Sequence, residues 1–159
     1  MVFVVVYATI VMITNLISLE DKYNLLGGRL FMYASRVLTQ KFKLNGISLT
    51  KEQWTVLMQL WMKDGISQQV IADATGKDKP SMTRLLDNLE RDGYIERRSD
   101  AKDRRLNLIF LTKKGLEVEK QVMPVAEQVL TELTKGLSPQ EIETVKNVFN
   151  KIYHNISLL

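Results

Sequence analysis

The chain has 159 residues, 45% hydrophobic and 25% charged, which suits one globular domain with a sizeable core. There is no cysteine and only one histidine, His154, so disulfides, thiolate metal sites, cysteine nucleophiles, cysteine redox sensing and histidine-rich metal clusters are excluded. The net charge of +4 is modest, so where the cations lie matters more than their total.

Met1 to Leu19 carries no charged side chain. Its length touches that of a membrane-spanning helix, but Thr14, Asn15 and Ser18 weaken that reading. A signal peptide fits poorly, because no Lys or Arg precedes the apolar run. Three readings stand: an arm packing on a second subunit, an upstream extension before a start at Met12, and a membrane segment, with the packing arm expected first. Residues 1–23 are therefore set apart as an apolar extension.

From about Asn24 to Leu44, Leu26, Leu30, Tyr33, Val37 and Leu44 recur at helical spacing, and Asn45-Gly46 ends the helix. Thr50-Lys51-Glu52-Gln53 is a capping-box pattern that opens a helix to about Lys63. Its apolar side is Trp54, Leu57, Met58, Trp61 and Met62, with both tryptophans expected in the core. Ser67 caps a short helix, Gln68 to Thr75, closed by Gly76. There Ile71 and Ala72 face inward, and Gln68 and Gln69 are expected to be free.

Pro80, in a first turn, opens a helix to about Arg91 that Gly93 terminates. Met82, Leu85, Leu86 and Leu89 form its buried side, and Ser81, Arg84, Asp87, Asn88 and Arg91 its outer side. Tyr94–Ser99 and Leu106–Leu111 read as two strands, the second with Leu106, Leu108 and Phe110 on one face. The tip between them is Asp100-Ala101-Lys102-Asp103-Arg104-Arg105. Between Arg97 and Arg105, five cations face two carboxylates. Alone this is a solvated turn; beside a helix-turn-helix it is an electrostatic footprint.

Thr112 caps a long helix with Val118, Val122, Val125, Val129 and Leu133 on one side and Pro124 inside it, where a kink is expected. Ser138-Pro139-Gln140-Glu141 is a second capping box. The helix it opens carries Ile142, Val145, Phe149, Ile152 and Ile156 at heptad-like spacing. Such a seam packs within the chain or across a two-fold axis, and the apolar chain ends favour a dimer.

The expected fold is mainly α with a small β-hairpin wing, a winged helix-turn-helix flanked by N- and C-terminal dimerisation helices. Residues 49–112 form the winged helix-turn-helix, and 24–48 with 113–159 the helical dimerisation region, in one compact domain. A helix with polar and cationic outer residues suits a major groove, and an arginine-tipped loop a minor groove. Double-stranded DNA is the expected partner and no enzyme chemistry is expected: there is no glycine-rich phosphate loop and no metal-ligand spacing, and no cofactor or metal is called for. The alternative is a winged-helix module for protein interaction or membrane tethering through residues 2–19.

The layout resembles the MarR family of winged-helix regulators. The resemblance rests on Leu49–Leu57, on Ser67–Ala72, on Pro80–Ile95, and on Asp103-Arg104-Arg105 followed by Leu111-Thr112-Lys113-Lys114-Gly115. It runs from about Leu25 to the C-terminus. One departure is Lys102, where the family often has arginine.

The resemblance implies a symmetric cytoplasmic homodimer on pseudo-palindromic DNA, with repression the expected mode. It also implies recognition helix 80–91 in the major groove and wing 97–108 in the minor groove. Pro80 sets the helix start, Ser81 and Arg84 read bases, Thr83 and Asn88 are further candidates, and Lys77 and Lys79 contact phosphate. Arg105 enters the minor groove, held by Asp103 or with Asp103 merely shaping the turn; Lys102 and Arg104 touch backbone or solvent. A small aromatic effector is also implied, with Tyr33, Trp54, Met58 and Trp61 as candidate lining, each of which also reads as ordinary core.

Overall fold

The computed structural model describes residues 18, 20, 28–99 and 107–158. The expectations for the apolar N-terminus, for a helix start at Asn24, and for Lys102, Asp103, Arg104 and Arg105 lie outside the described residues. The described elements are, in order, α1 (Arg29–Leu44), α2 (Lys51–Met62), β1 (Ile66–Ser67), α3 (Gln68–Thr75), α4 (Lys79–Arg91), β2 (Ile95–Ser99), β3 (Asn107–Leu111), α5 (Lys113–Leu133) and α6 (Pro139–Ile156).

Local chemistry sets most of these bounds. Thr50 Oγ1 accepts from the Gln53 N–H at 3.1 Å while Gln53 Oε1 accepts from the Thr50 N–H at 3.0 Å, the reciprocal pair that starts α2. Ser138 and Glu141 repeat the arrangement at α6. Ser67 caps α3 and Thr112 caps α5 through single hydroxyl acceptors. Helix α5 continues through Pro124.

The sheet is three-stranded and antiparallel, in the order β1-β3-β2. Only the β2–β3 hairpin was expected. Strand β1 is two residues long, with Ile66 opposite Ile109 and Ser67 opposite Leu108. A pair that short has no periodicity of its own; it becomes a strand because β3 presents a free edge to it. The hairpin also buries the other face of β3. Ile109 and Leu111 are buried with Ile95 from β2, whereas Leu108 and Phe110 are half-buried. Phe110 instead lies under the Arg98 guanidinium, 4.5 Å from its ring centroid, and over Gly65, where an added Cβ would come within 2.6 Å of the ring.

The core joins the winged unit to α5. Leu57, Leu60, Ile71, Met82, Leu86, Leu89, Ile95 and Ile109 are almost wholly excluded from solvent, and Val118, Val122 and Val125 of α5 extend the same cluster. From α1 it takes Phe42, with Leu38 alongside. Trp54 and Trp61 pack against it, as expected of both tryptophans, with ring centroids 5.6 Å apart. The one buried polar side chain among the described residues, Gln53, is satisfied: its Nε2 donates to Asp92 Oδ2 at 3.2 Å.

Two expected apolar faces do not enter this core. Leu30, Tyr33 and Leu44 of α1 are exposed, and Met62 of α2 and Leu133 of α5 also face out. In α6 no residue is buried, and the whole seam from Ile142 to Ile156 is 37–58% exposed. Intrachain packing therefore does not account for that seam among the described residues.

Candidate nucleic-acid interface

Helix α4 is amphipathic because the apolar residues Met82, Leu86 and Leu89 recur at spacings of four and three, with Leu85 half-buried beside them. That burial leaves Ser81, Arg84, Asp87 and Arg91 on the opposite, exposed side, with Asn88 half-buried. The helix starts one residue before Pro80, at Lys79, and its N-cap is Asp78. Asp78 accepts the Ser81 N–H at 2.8 Å and the Ser81 hydroxyl at 2.9 Å. These two bonds, the backbone one foremost, hold the Asp78 carboxyl below its ordinary value. Sequence reading missed this cap, although an aspartate just ahead of a first-turn proline is a recognisable helix start.

Four side chains change in role once partners are seen. Gln68 is not free: its Nε2 donates to Thr83 Oγ1 at 2.7 Å. Thr83 donates its only hydroxyl proton to the Lys79 carbonyl at 2.9 Å, so it is a tie between α3 and α4 rather than an open group. Gln69 is not free either; it bonds Asp73 at 2.8 Å within α3. The Ser81 hydroxyl proton is likewise committed, to Asp78, which leaves Ser81 an acceptor only. By contrast, Arg84, Lys77 and Lys79 make no side-chain hydrogen bond or ion pair among the described residues, and Arg84 and Lys79 are exposed. Lys79 and Thr83 share a polar cleft with Ser67, Gln68, Gln69 and Asn107, the β3 residue that pairs with Ser99.

The basic stretch is less basic than it reads. Arg97 pairs with Asp87 of α4 at 2.6 Å and with Glu90 of α4. Arg98 pairs with Glu96 on its own strand. Two of the five cations counted between Arg97 and Arg105 are thus neutralised inside the protein. Their partners lie on a different element or across one strand residue, which the charge count over 97–105 does not include.

The end of α4 is anchored to the start of α5. The Thr112 hydroxyl donates to the Gly93 carbonyl at 2.6 Å, the Thr112 N–H to the Tyr94 carbonyl at 3.0 Å, and Lys114 Nζ to the Asp92 carbonyl at 2.7 Å. Trp61 Nε1 reaches the Gly115 carbonyl at 3.0 Å. Gly115 sits so close to Tyr94 that a Cβ would collide with the Tyr94 carbonyl oxygen. Orientation of α4 is thereby set at its first turn by α3 and at its last by α5.

A groove of about 410 Å³ runs between α1, α2 and α5, lined among others by Phe31, Leu38, Trp54, Met58, Leu130 and Leu133, with Lys51 at its rim. Of the four residues expected to line an effector site, Trp54 and Met58 are here. Tyr33 is not, being exposed beside Arg29, and Trp61 is turned toward Gly115. Among the described residues no group of acidic or histidine side chains could hold a metal ion, and no helix is long and apolar enough to cross a membrane.

Residues 45–106 match the model of the MarR family. Solved structures resemble nearly the whole chain. A MarR-family transcriptional regulator from Silicibacter pomeroyi is 25% identical, with 88% of this chain and 93% of that one covered and a TM-score of 0.73. The transcriptional regulator SlyA is 26% identical over 86% and 94% of the two chains, with a TM-score of 0.74. Wild-type MarR from E. coli in its apo form is 25% identical over 81% and 94%, with a TM-score of 0.68. The family match spans α2, β1, α3, α4 and β2, and the likeness of fold to these solved structures continues into the flanking helices.

Proposed function

We propose that this chain is a cytoplasmic, dimeric repressor that reads a pseudo-palindromic operator. The observation that carries the reading is the exposed side of α4. Arg84 stands there without a partner among the described residues, one turn from the helix start, while Lys79 and Lys77 flank that start. A helix anchored at both ends, with one guanidinium facing out and unpaired among the described residues, fits a group left open for an external acceptor. A guanidinium in a major groove can donate two hydrogen bonds to a guanine, worth about 1–3 kcal/mol of discrimination. Lys77 and Lys79 suit phosphates, which position without specifying. Ser81 offers an acceptor near the helix end, and Asn88 stands one turn beyond Arg84.

In the proposed complex, recognition helix 80–91 occupies the major groove and wing 97–108 the minor groove, where Arg105 probes and Asp103 steadies it, with Lys102 and Arg104 on the backbone. Residues 49–112 bind DNA, and 24–48 with 113–159 hold the dimer. The exposed seam of α6 and the exposed residues of α1 support that division, because so much apolar surface calls for cover. A small aromatic effector that releases DNA suits the groove holding Trp54 and Met58.

The test is selection of bound sequences from a random duplex pool by the purified protein. Two recovered half-sites with centres about 34 Å apart are expected. Recovery of a single unpaired half-site, or of no sequence above background, would overturn the reading.

A further inference from the structure

We infer, on the basis of the DNA-binding reading above, that Arg97 is a positioning residue: through Asp87 and Glu90 it fixes the wing's angle to the recognition helix. Arg97 lies on β2, opposite Ile109 of β3. Ile109 is fully buried; further along the hairpin Arg98, Ser99 and Asn107 are exposed and Leu108 only half-buried. Core packing therefore holds the hairpin as far as this rung and no further among the described residues.

The Arg97 fork is spread over α4 at the same rung. One nitrogen, Nη2, meets Asp87 Oδ1 at 2.6 Å, Nη1 meets Glu90, and the Arg97 N–H donates to Glu90 Oε1 at 3.1 Å. Side-chain exposure is 21% for the arginine, against 59% for Asp87 and 39% for Glu90, so the guanidinium is the sheltered end of both pairs. A planar guanidinium meeting two carboxylates resists rotation in a way that a single point charge does not.

The same arrangement settles a charge conflict. Asp87 and Glu90 are like charges three residues apart on the helix proposed to approach phosphates. Left unpaired they would repel each other and the DNA. Arg97, shared between them, offsets one of the two negative charges and separates the carboxylates while pulling the strand toward the helix, so one side chain sets distance, angle and local charge together.

The test uses the full chain bound to a duplex selected by the wild type, each variant at a saturating concentration. Hydroxyl-radical cleavage reads the minor groove, and methylation of guanine N7 reads the major groove. Arg97→Ala is expected to lose minor-groove protection while keeping guanine protection, with affinity reduced about tenfold. Glu90→Gln, which keeps Arg97 but weakens its hold, should shift the footprint in the same direction. Arg97→Lys should restore part of the protection, because lysine can hold one carboxylate. A footprint unchanged in Arg97→Ala, or lost only in Arg97→Ala and not in Glu90→Gln, overturns the positioning role. A wild type that selects no duplex overturns the DNA-binding reading and this role with it.

Discussion

Gln68 Nε2 donates to Thr83 Oγ1 at 2.7 Å, linking the helix before the turn to the helix after it. The threonine hydroxyl spends its proton on the Lys79 carbonyl, so each of its bonds is internal. The consequence is that Thr83 sets where α4 sits rather than what it reads. Thr83→Val, similar in shape but without the hydroxyl, removes both bonds. Each is worth about 0.5–1.5 kcal/mol. Binding to the selected duplex should weaken with the preference at every base position unchanged, measured by competition with single-base variants. A preference altered at one position only would make Thr83 a base reader.

Arg84 and Lys79 should separate by kind of effect. Arg84→Ala is expected to cost about 1–3 kcal/mol on the preferred duplex and much less on one altered at the contacted guanine. Lys79→Ala should weaken all duplexes alike and reduce the slope of log K against log salt by about one. Titrations at several salt concentrations distinguish the two; equal losses on every duplex for both variants would remove Arg84 from base reading.

Gly115 is required by close approach rather than by backbone conformation. A methyl group there meets the Tyr94 carbonyl oxygen and stands 3.0 Å from Leu111 Cδ2. Relief would need α5 to move off the hairpin, breaking the Thr112 and Lys114 bonds that hold the end of α4. Gly115→Ala should lower stability by about 2 kcal/mol or more in urea unfolding. Wild-type stability in that variant would show that the α4–α5 junction yields freely.

Acid should loosen α4 from its first turn. Ser81 bonds hold the Asp78 carboxyl below its ordinary value of 3.8. A carboxyl whose folded value is depressed stabilises the fold fully above its unfolded value and loses that contribution as pH falls through the folded one. The stability gap between wild type and Asp78→Ala should therefore be constant above pH 3.8 and close as the pH drops below it. Glu141, depressed by the Ser138 backbone and hydroxyl below 4.5, adds a second loss of the same sign at α6. Chemical unfolding across that range checks it; a gap that widens in acid would contradict the cap assignment.

The helices and their caps were legible because each is a short-range event. Thr50, Ser67, Thr112 and Ser138 all act on an N–H three residues ahead, and such a spacing is visible in the string of letters. The apolar side of α4 was legible for the same reason: a period of 3.6 is enforced by the helix itself. So were the exposed cations Lys79 and Arg84, since burying one side of a helix exposes the other.

Other features depend on residues brought together from afar. Which face of β3 is buried follows from what the hairpin packs on, and alternation alone allowed either. Strand β1 exists because Ile66 lies beside Ile109, 43 positions away. Arg97 reads as a free cation in sequence and is a tethered one in the fold, because Asp87 and Glu90 sit on another element. The sequence by itself thus determined the elements, their ends and the sidedness of the recognition helix, through interactions within one turn. Tertiary structure alone decided which polar groups remain unpartnered, because pairing across elements depends on distance in space and not along the chain.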